Sequence, residues 1–241
     1  MQAMTIEDVL KATGGTLLSG DIHQTFNDVI SDSRKVTAGV LFVPLVGEKF
    51  DGHEFIKAAF DLGASAVLTQ RDTELLVDKT IVKVEDTLKA FGDIAKYYKQ
   101  KYNVPTVSVT GSVGKTTTKD MLASVLSQKY NTLKTMGNFN NEIGLPITIF
   151  GLEKEHEAAV LEMGMNHFGE IEHLADIGRP DVAVITNIGQ SHIENLGSRE
   201  GIFKAKMEMT KLFTKDNTLI VNGDDDYLSK TKGMGEYKVV Y

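Results

Sequence analysis

The chain has 241 residues, with 26 basic and 33 acidic side chains that give a formal net charge of −7 at pH 7. This acidic balance argues against nucleic acid or an anionic membrane surface as a partner, and the complete absence of cysteine excludes disulfides and thiolate metal sites. No apolar run approaches the roughly 20 residues of a membrane span, and no signal-peptide pattern opens the chain. We therefore expect a soluble, cytoplasmic protein with one large or two smaller domains.

The first hundred residues alternate between extended and helical patterns. Strands are predicted at 40–45, 64–69 and 80–85. Apolar residues at helical spacing predict a helix at 52–63, which ends at Gly63 as a C-cap. A longer amphipathic helix begins after its N-cap, Asp86, and stops before Pro105.

A domain boundary is predicted where that helix stops, which gives one domain at 1–102 and a second at 103–241. The second domain continues with strands at 106–109, 158–162, 182–186 and 218–221 and helices at 116–129, 169–177 and 199–213. Because helices and strands alternate throughout, we predict an α/β fold class with a largely parallel sheet.

A glycine-rich turn joins the first strand of the second domain to its first helix. It consists of Gly111, Ser112, Val113, Gly114, Lys115, Thr116 and Thr117. Backbone N–H groups at such a junction face an anion, while Lys115 could reach the β- and γ-phosphates of ATP and the Thr116 hydroxyl could bind Mg²⁺. The common P-loop spacing needs a glycine where Val109 stands, so the motif is the shorter G-x-x-G-K-T. A glycine turn with an incidental lysine is the simpler alternative.

Two more strand ends carry polar side chains. Glu162 follows an apolar strand, so its carboxylate is expected at the same sheet edge as the glycine-rich turn, where it could bind magnesium. The strand at 182–186 leads into a turn with Asn187 and His192. A solvated glutamate and an ordinary loop histidine remain the alternatives.

Lys206 lies on the apolar side of its predicted helix. At about 100° per residue, it falls in the arc formed by Ile202, Ala205, Met209, Leu212 and Phe213. An inward lysine needs a partner or a shifted pKa, because an unpaired buried ammonium is costly. Lys206 is therefore either a functional amine, open to modification, or a side chain that extends along the apolar surface to solvent.

Four segments of the second domain together resemble one known family, the Mur ligases of bacterial cell-wall synthesis. In chain order they are TGSVGKTTTKDM, GNFNNEIGLP, LEMGMNHFGEIEHLA and TNIGQSHIENLGSREGIFKAKMEM. The segment SDSRKVTAGVLFVPLVGEKFDGHEFIKAAFDLGASAVL is similar to the family's N-terminal domain, so the resemblance spans nearly the whole chain. It implies an N-terminal α/β domain that binds a UDP-linked substrate, followed by a P-loop-type ATPase domain.

The resemblance also implies an activity, the ATP-dependent formation of a peptide bond. In such a ligase the γ-phosphate of ATP activates a peptide carboxylate as an acyl phosphate, which an incoming amine attacks. The pairing of GSVGKTTTK with NFNNEIGLP is most similar to members that join D-alanyl-D-alanine to UDP-N-acetylmuramoyl-tripeptide. These two molecules are the implied partners of a protein that we expect to be monomeric.

Two Mg²⁺ ions are implied beside the ATP. By resemblance, Lys115 and Thr116 hold the phosphates and the first ion, and Glu162 completes the coordination of that ion. His192 and Lys206 would hold the second ion, with Lys206 as its carbamate. Carbamylation turns the inward lysine into an anion that binds metal.

Substrate contacts are implied in both domains. Asn138, Asn140 and Asn141 would position the reacting groups, although an asparagine-rich polar turn fits the same residues. Ser31, Ser33 and Arg34 correspond to the region that receives the uridine-diphosphate part in related ligases, and a solvated turn is the alternative.

The resemblance implies a third, Rossmann-like domain beyond Tyr241, so we expect the chain to be a fragment whose central domain is incomplete at its C-terminus. The acidic turn at 222–228 is expected to be a solvated turn rather than a metal site. Three competing functions remain. They are the sibling ligase that adds the third amino acid, a folylpolyglutamate-type ligase and a nucleotide-binding module without ligase activity.

Overall fold

A computed structural model describes residues 1–72 and 78–241. The chain divides into two compact units. Unit 1 consists of Met1–Lys101 with Phe150–Glu153, and unit 2 consists of Tyr102–Ile149 with Lys154–Tyr241. In the described part of the chain, every helix is too short or too polar to cross a membrane.

Unit 1 is built on a mostly parallel sheet of five strands. Its elements in chain order are β1 (Met4–Thr5), α1 (Ile6–Thr13), β2 (Thr16–Ser19), β3 (Thr25–Phe26), β4 (Asp28–Ile30), β5 (Val40–Phe42), α2 (Ile56–Asp61), β6 (Ala66–Thr69), β7 (Thr80–Lys83) and α3 (Thr87–Gln100). The sheet order is β2-β7-β6-β5-β4, in which only the β2 and β7 pair is antiparallel. Strands β5 and β6 are buried throughout, which is typical of parallel strands covered on both faces.

The elements predicted for this unit are present but shorter. The three predicted strands correspond to β5, β6 and β7, and the predicted helix at 52–63 begins as a 3₁₀ turn, Gly52–Phe55, before α2. The predicted N-cap of α3 is confirmed, because the Asp86 carboxylate accepts the N–H groups of Leu88 and Lys89 at 2.8 and 2.9 Å.

Unit 2 is a parallel sheet of six strands with helices between them. Its elements are β8 (Thr106–Thr110), α4 (Lys115–Leu126), β9 (Thr132–Lys134), α5 (Gly144–Phe150), β10 (Ala158–Glu162), α6 (Glu170–Gly178), β11 (Val182–Ile185), α7 (Ile193–Leu196), α8 (Arg199–Met207), β12 (Thr218–Val221) and β13 (Lys238–Val240). Helix α5 ends at Phe150, which belongs to unit 1. The sheet order is β13-β12-β11-β8-β10-β9, and all five pairs are parallel. The predicted α/β fold class is therefore confirmed.

The strand order predicts a ligand site at the carboxyl end of β8. From β8 the chain runs to the edge strand β9, returns to β10 beside β8, and then crosses to β11 on the other side. This reversal of direction leaves a crevice beyond the carboxyl ends of β8, β10 and β11, where ligands bind in open α/β sheets. Of the predicted site residues of unit 2, the glycine-rich turn, Glu162 and His192 lie at or after the ends of these strands. Asn138, Asn140 and Asn141 follow the edge strand β9 instead, and Lys206 lies on α8.

The helix predicted at 199–213 is too long. Helix α8 ends at Met207, and the chain continues as a 3₁₀ turn, Glu208–Thr210. This turn directs the buried Glu208 carboxylate to the start of α6, where both of its oxygens accept the Gly169 N–H at 2.9 Å. The tighter turn thus supplies the N-terminus of α6 with an acceptor that glycine lacks.

Candidate functional site

The glycine-rich turn is a loop with two special backbone positions. Gly111 has φ of +154° and Gly114 has φ of +82°, and α4 begins immediately after Gly114. A Cβ on Gly111 would lie 1.9 Å from Thr186 Oγ1, whereas a Cβ on Gly114 would meet no atom within 4 Å. Gly111 is therefore required by both backbone and space, and Gly114 by its backbone alone.

The residues after β11 hold this loop in place. Thr186 Oγ1 donates to Val113 O at 2.6 Å. The Asn187 side chain bonds both backbone groups of the same residue: its Oδ1 accepts from Val113 N at 3.1 Å, and its Nδ2 donates to Val113 O at 3.0 Å. Ser112 N also donates to the carbonyl of Asn187 at 3.1 Å. The loop is thus fixed by hydrogen bonds to the neighbouring strand end, independently of any ligand.

Groups that could bind an anion lie together at the start of α4. The first intrahelical bond of this helix runs from Thr118 N to Gly114 O at 2.9 Å, so the N–H groups of residues 115–117 precede it and point along the helix axis. Lys115 Nζ donates to Gly111 O at 2.9 Å and to Ser112 O at 3.4 Å, so its ammonium lies against the loop. Thr116 is exposed beside it.

Glu162 is the last residue of β10 and lies beside the loop, because β10 pairs with β8 and places Glu162 opposite Val109. The residue is only 2% exposed. Its Oε1 accepts from Asn140 Nδ2 at 2.8 Å, and its backbone N–H donates to Thr135 Oγ1 at 3.0 Å. Its second carboxylate oxygen, Oε2, is buried and has no hydrogen-bond partner among the described residues.

His192 and Lys206 line one cavity together with Lys115. The cavity measures about 210 Å³, and its lining residues are Lys115, Asn140, Asn141, Gly164, Met165, Asn166, Glu170, His192 and Lys206. His192 has φ of +65° at the start of α7, a left-handed conformation that is uncommon for a residue with a side chain. Such strain is often found at functional sites.

Lys206 is buried, which rules out the alternative in which its side chain extends to solvent. The residue is 2% exposed, and its ammonium has no hydrogen bond or ion pair within the described ranges. Burial, reinforced by the positive charge of Lys115, lowers the pKa of Lys206 from 10.5 to about 7. The helical spacing thus placed this lysine correctly, although Leu212 of the predicted arc is 45% exposed because the helix ends earlier.

The three asparagines have different positions. Asn140 reaches Glu162, and Asn141 lines the cavity while its Oδ1 accepts the N–H of Gly144 at 2.8 Å at the start of α5. Asn138 is exposed, and the lining of the cavity does not include it. A second cavity of about 350 Å³ shares Asn141, Gly164, Asn166 and Glu170 with the first.

Ser31, Ser33 and Arg34 follow β4 in unit 1, on and beside a 3₁₀ turn, Ser33–Lys35. Arg34 forms a two-bond pair with Asp32, with both distances 2.8 Å, and its side chain is 87% exposed. The hydrogen bond from Arg34 lowers the pKa of Asp32 to about 2. These residues lie at the carboxyl end of a parallel strand, a usual position for ligand contacts.

Several residues around the site were not predicted. Thr186 and Thr135 act through hydrogen bonds that only the fold reveals. Glu170 lines both cavities and accepts from Asn166 N at 2.7 Å. Burial acts to raise the pKa of Glu170, but the hydrogen bonds from Asn166 and His167 outweigh it and hold the pKa below its usual value. The i, i+3 spacing of His167 and Glu170 was the available sequence signal.

A magnesium ion at this site would need ligands beyond those of the protein. The described residues include no group of three histidine, aspartate or glutamate side chains that could hold a metal alone. The unpartnered Oε2 of Glu162 is nevertheless a buried anionic oxygen, the ligand type that Mg²⁺ prefers. Mg²⁺ is commonly held by one or two carboxylates together with the phosphates of a substrate, so the residues fit a nucleotide-bound ion.

Comparison with known proteins assigns the family. Residues 109–240 match the Mur ligase middle domain, and residues 25–99 match the catalytic domain of the Mur ligase family. UDP-N-acetylmuramoyl-tripeptide--D-alanyl-D-alanine ligase of Bacillus subtilis (strain 168) is 44% identical over 242 residues, covering 97% of this chain and 53% of the relative.

Two solved structures agree with that match. MurF from Acinetobacter baumannii superimposes with a TM-score of 0.93 at 34% identity, over 99% of this chain and 53% of that one. MurF from Thermotoga maritima in complex with ADP gives a TM-score of 0.82 at 37% identity, and the match covers 88% of this chain and 49% of that one. The chain spans about half the length of these relatives. The resemblance of the sequence motifs is thereby confirmed, and the chain belongs to the Mur ligase family.

Proposed function

We propose that this chain is the substrate- and ATP-binding part of a ligase that joins D-alanyl-D-alanine to UDP-N-acetylmuramoyl-tripeptide through an acyl phosphate. The observation that carries the proposal is the cavity in which Lys115, His192 and the buried Lys206 meet. Asn140 also lines this cavity and donates a hydrogen bond to Glu162. The B. subtilis relative carries the name of that reaction, and the T. maritima structure contains ADP. Because the chain covers about half of these relatives, the activity is proposed for the whole protein.

The phosphate loop would hold ATP. The N–H groups at the start of α4 and the Lys115 ammonium supply positive charge at one point. The Thr116 hydroxyl lies at the position that binds Mg²⁺ in phosphate loops. Gly111 to Thr117 would thus contact the phosphates through backbone and side-chain donors.

Positive charge is needed because the reaction brings a carboxylate against a triphosphate. Bound Mg²⁺ neutralises the phosphate oxygens and the charge that develops during transfer. Glu162 would hold the first ion through its unpartnered Oε2. Asn140 fixes the other oxygen and therefore the orientation of the carboxylate.

Lys206 would serve as a carbamate. With a pKa of about 7, a substantial fraction of this lysine is the neutral amine near neutral pH. The amine nitrogen attacks the carbon of CO₂ and loses a proton, which gives a carbamate anion and one H⁺. The anion would hold a second Mg²⁺ with His192 and remove the cost of an unpaired buried ammonium.

The remaining contacts would belong to the substrates. Ser31, Ser33 and Arg34 would bind the uridine-diphosphate part, and the asparagines Asn138, Asn140 and Asn141 would orient the reacting peptide end. The adjoining cavity of about 350 Å³ gives that peptide room. We place the protein in the cytoplasm as a monomer, where ATP and a nucleotide-linked precursor are available.

Titration calorimetry with a non-hydrolysable ATP analogue tests the nucleotide half of the proposal. The wild-type chain should bind the analogue only with Mg²⁺ present, and Lys115→Gln should weaken binding at least about ten-fold through loss of a charge-assisted contact. Lys129→Gln, a change of an exposed lysine beyond α4, is the matched control and should bind like wild type. Binding that ignores both Mg²⁺ and Lys115→Gln would contradict the assignment of the loop.

A further inference from the structure

The phosphate loop is attached to the residues on both sides of Ile188. Before Ile188, Asn187 bonds to Ser112 and Val113. After it, Gly189 N donates to Ser112 Oγ at 2.8 Å. The position of the loop therefore depends on where the Ile188 peptide is held.

Charged side chains form hydrogen bonds with both the backbone N–H and the backbone carbonyl of Ile188. Its N–H donates to Asp225 Oδ2 at 2.8 Å, and its carbonyl accepts from Arg199 Nε at 3.0 Å and Nη2 at 2.8 Å. Hydrogen bonds with an ionised partner are roughly twice as strong as neutral ones. Ile188 is 1% exposed, so water cannot readily replace either partner.

The holding residues are themselves braced by the acidic turn at 222–228. Asp225 Oδ1 accepts the N–H groups of Tyr227 and Leu228, each at 3.0 Å. Arg199 pairs with both carboxylate oxygens of Asp226 at 3.1 and 2.5 Å, and its guanidinium lies 4.8 Å from the centre of the Tyr227 ring. The turn that was expected to be merely solvated thus makes specific contacts.

We infer that Asp225 and Arg199 are positioning residues of the nucleotide site. They fix the phosphate loop through their hydrogen bonds to the backbone N–H and carbonyl of Ile188. The inference rests on the proposed function only in naming a nucleotide as the ligand. Neither residue lines the cavity beside Lys115. Arg199 is also the first residue of α8, the helix that carries Lys206, so it connects the loop to the other half of the site.

Asp225→Asn tests the inference, with Asp224→Asn as its control. Asparagine has one carbonyl oxygen, so it can accept from Ile188 or from the turn but not from both. Asp224 lies in the same turn, is exposed, and its carboxylate has no hydrogen bond or ion pair in the part of the chain that the structure describes. Both variants remove one negative charge, but only Asp225→Asn loses either the hydrogen bond to Ile188 or the hydrogen bonds to the turn that hold residue 225 in place.

Hydrogen exchange of the nucleotide-free chain is the first measurement. In Asp225→Asn, the amides of Ser112, Val113 and Gly189 should exchange at least about ten-fold faster, as expected from losing a hydrogen bond to a charged group. The control should leave them unchanged. The Thr135 amide, which donates to Val160 O at 3.0 Å on the opposite side of β8 from β11, should keep its protection in both variants.

Nucleotide affinity is the second measurement, and Arg199→Lys is the second variant. Lysine keeps the charge but cannot bond Ile188 O twice while pairing with Asp226. Both Asp225→Asn and Arg199→Lys should raise the Kd of the ATP analogue at least about ten-fold, in line with the exchange. Unchanged exchange and affinity in these variants, or faster exchange that includes the Thr135 amide, would overturn the inference. A wild-type chain that binds no analogue would instead contradict the proposed function.

Discussion

Lys206→Met should remove a pH dependence that Lys206 gives to the stability of the fold. The folded chain releases the Lys206 proton near pH 7, whereas the unfolded chain keeps it up to the ordinary pKa of 10.5. Between these values the unfolded state binds more protons, so the stability of the wild type rises with pH. Below about pH 7 the ammonium is charged in both states, and its full burial cost is present.

The size of the effect follows from the shift. With a pKa of about 7 in the folded chain and 10.5 in the unfolded chain, the free energy of unfolding of the wild type increases by roughly 2 kcal/mol from about pH 7 to pH 9. Lys206→Met lacks this gain and should be more stable than the wild type at about pH 7. Lys204→Met is the control, because Lys204 is exposed on the same helix and pairs with Glu200.

Denaturant unfolding in buffers free of CO₂ measures these differences directly. The difference in free energy of unfolding between the wild type and Lys206→Met should become smaller as the pH rises. The same difference between the wild type and Lys204→Met should stay constant. Parallel pH curves for the wild type and Lys206→Met would show that folding does not desolvate this ammonium. Lys206 would then not be the neutral amine that carbamate formation requires.

Three further substitutions test other parts of the site. Gly111→Ala should weaken ATP-analogue binding and stability far more than Gly114→Ala, which should cost about 1 kcal/mol through its backbone alone; equal losses would refute this. Glu162→Gln should raise the Mg²⁺ concentration needed for analogue binding at least about ten-fold, and an unchanged Mg²⁺ requirement would exclude Glu162 from the proposed metal site. Glu208→Ala should destabilise the chain by about 2 kcal/mol, because it leaves N–H groups of α6 unpaired; an unshifted unfolding midpoint would contradict it.

The central strands of unit 2 could be predicted from the sequence, and its edges could not. Strands β10 and β12 occupy the predicted residues, because each is a continuous run of mostly apolar residues between polar turns. The edge strand β9 has three half-buried residues and no such run. Helix α5 was missed because its sequence, GLPITIF, is rich in β-branched residues and contains a proline. Its start is fixed by the Asn141 side chain, a local contact that outweighs propensity.

The site shows the same division. The position of Lys115 and Glu162 at one sheet edge could be predicted, because the carboxyl ends of neighbouring parallel strands must meet there. The inward position of Lys206 followed from helical periodicity. Other contacts join residues that are far apart in the chain, such as the hydrogen bonds of Asn187 to Val113 and of Ile188 N to Asp225. No periodicity or spacing encodes such pairs, so only the folded structure reveals them.

Titration calorimetry with UDP-N-acetylmuramoyl-tripeptide shows whether the chain recognises the substrate of the proposed ligase. The titration is made in the presence and absence of the ATP analogue and Mg²⁺, with UDP-glucose as the control ligand. The muramoyl nucleotide should bind and UDP-glucose should not, because recognition needs the peptide end as well as the uridine-diphosphate part. Equal binding of both nucleotides, or binding of neither while the ATP analogue still binds, would contradict the ligase assignment and favour a nucleotide-binding module.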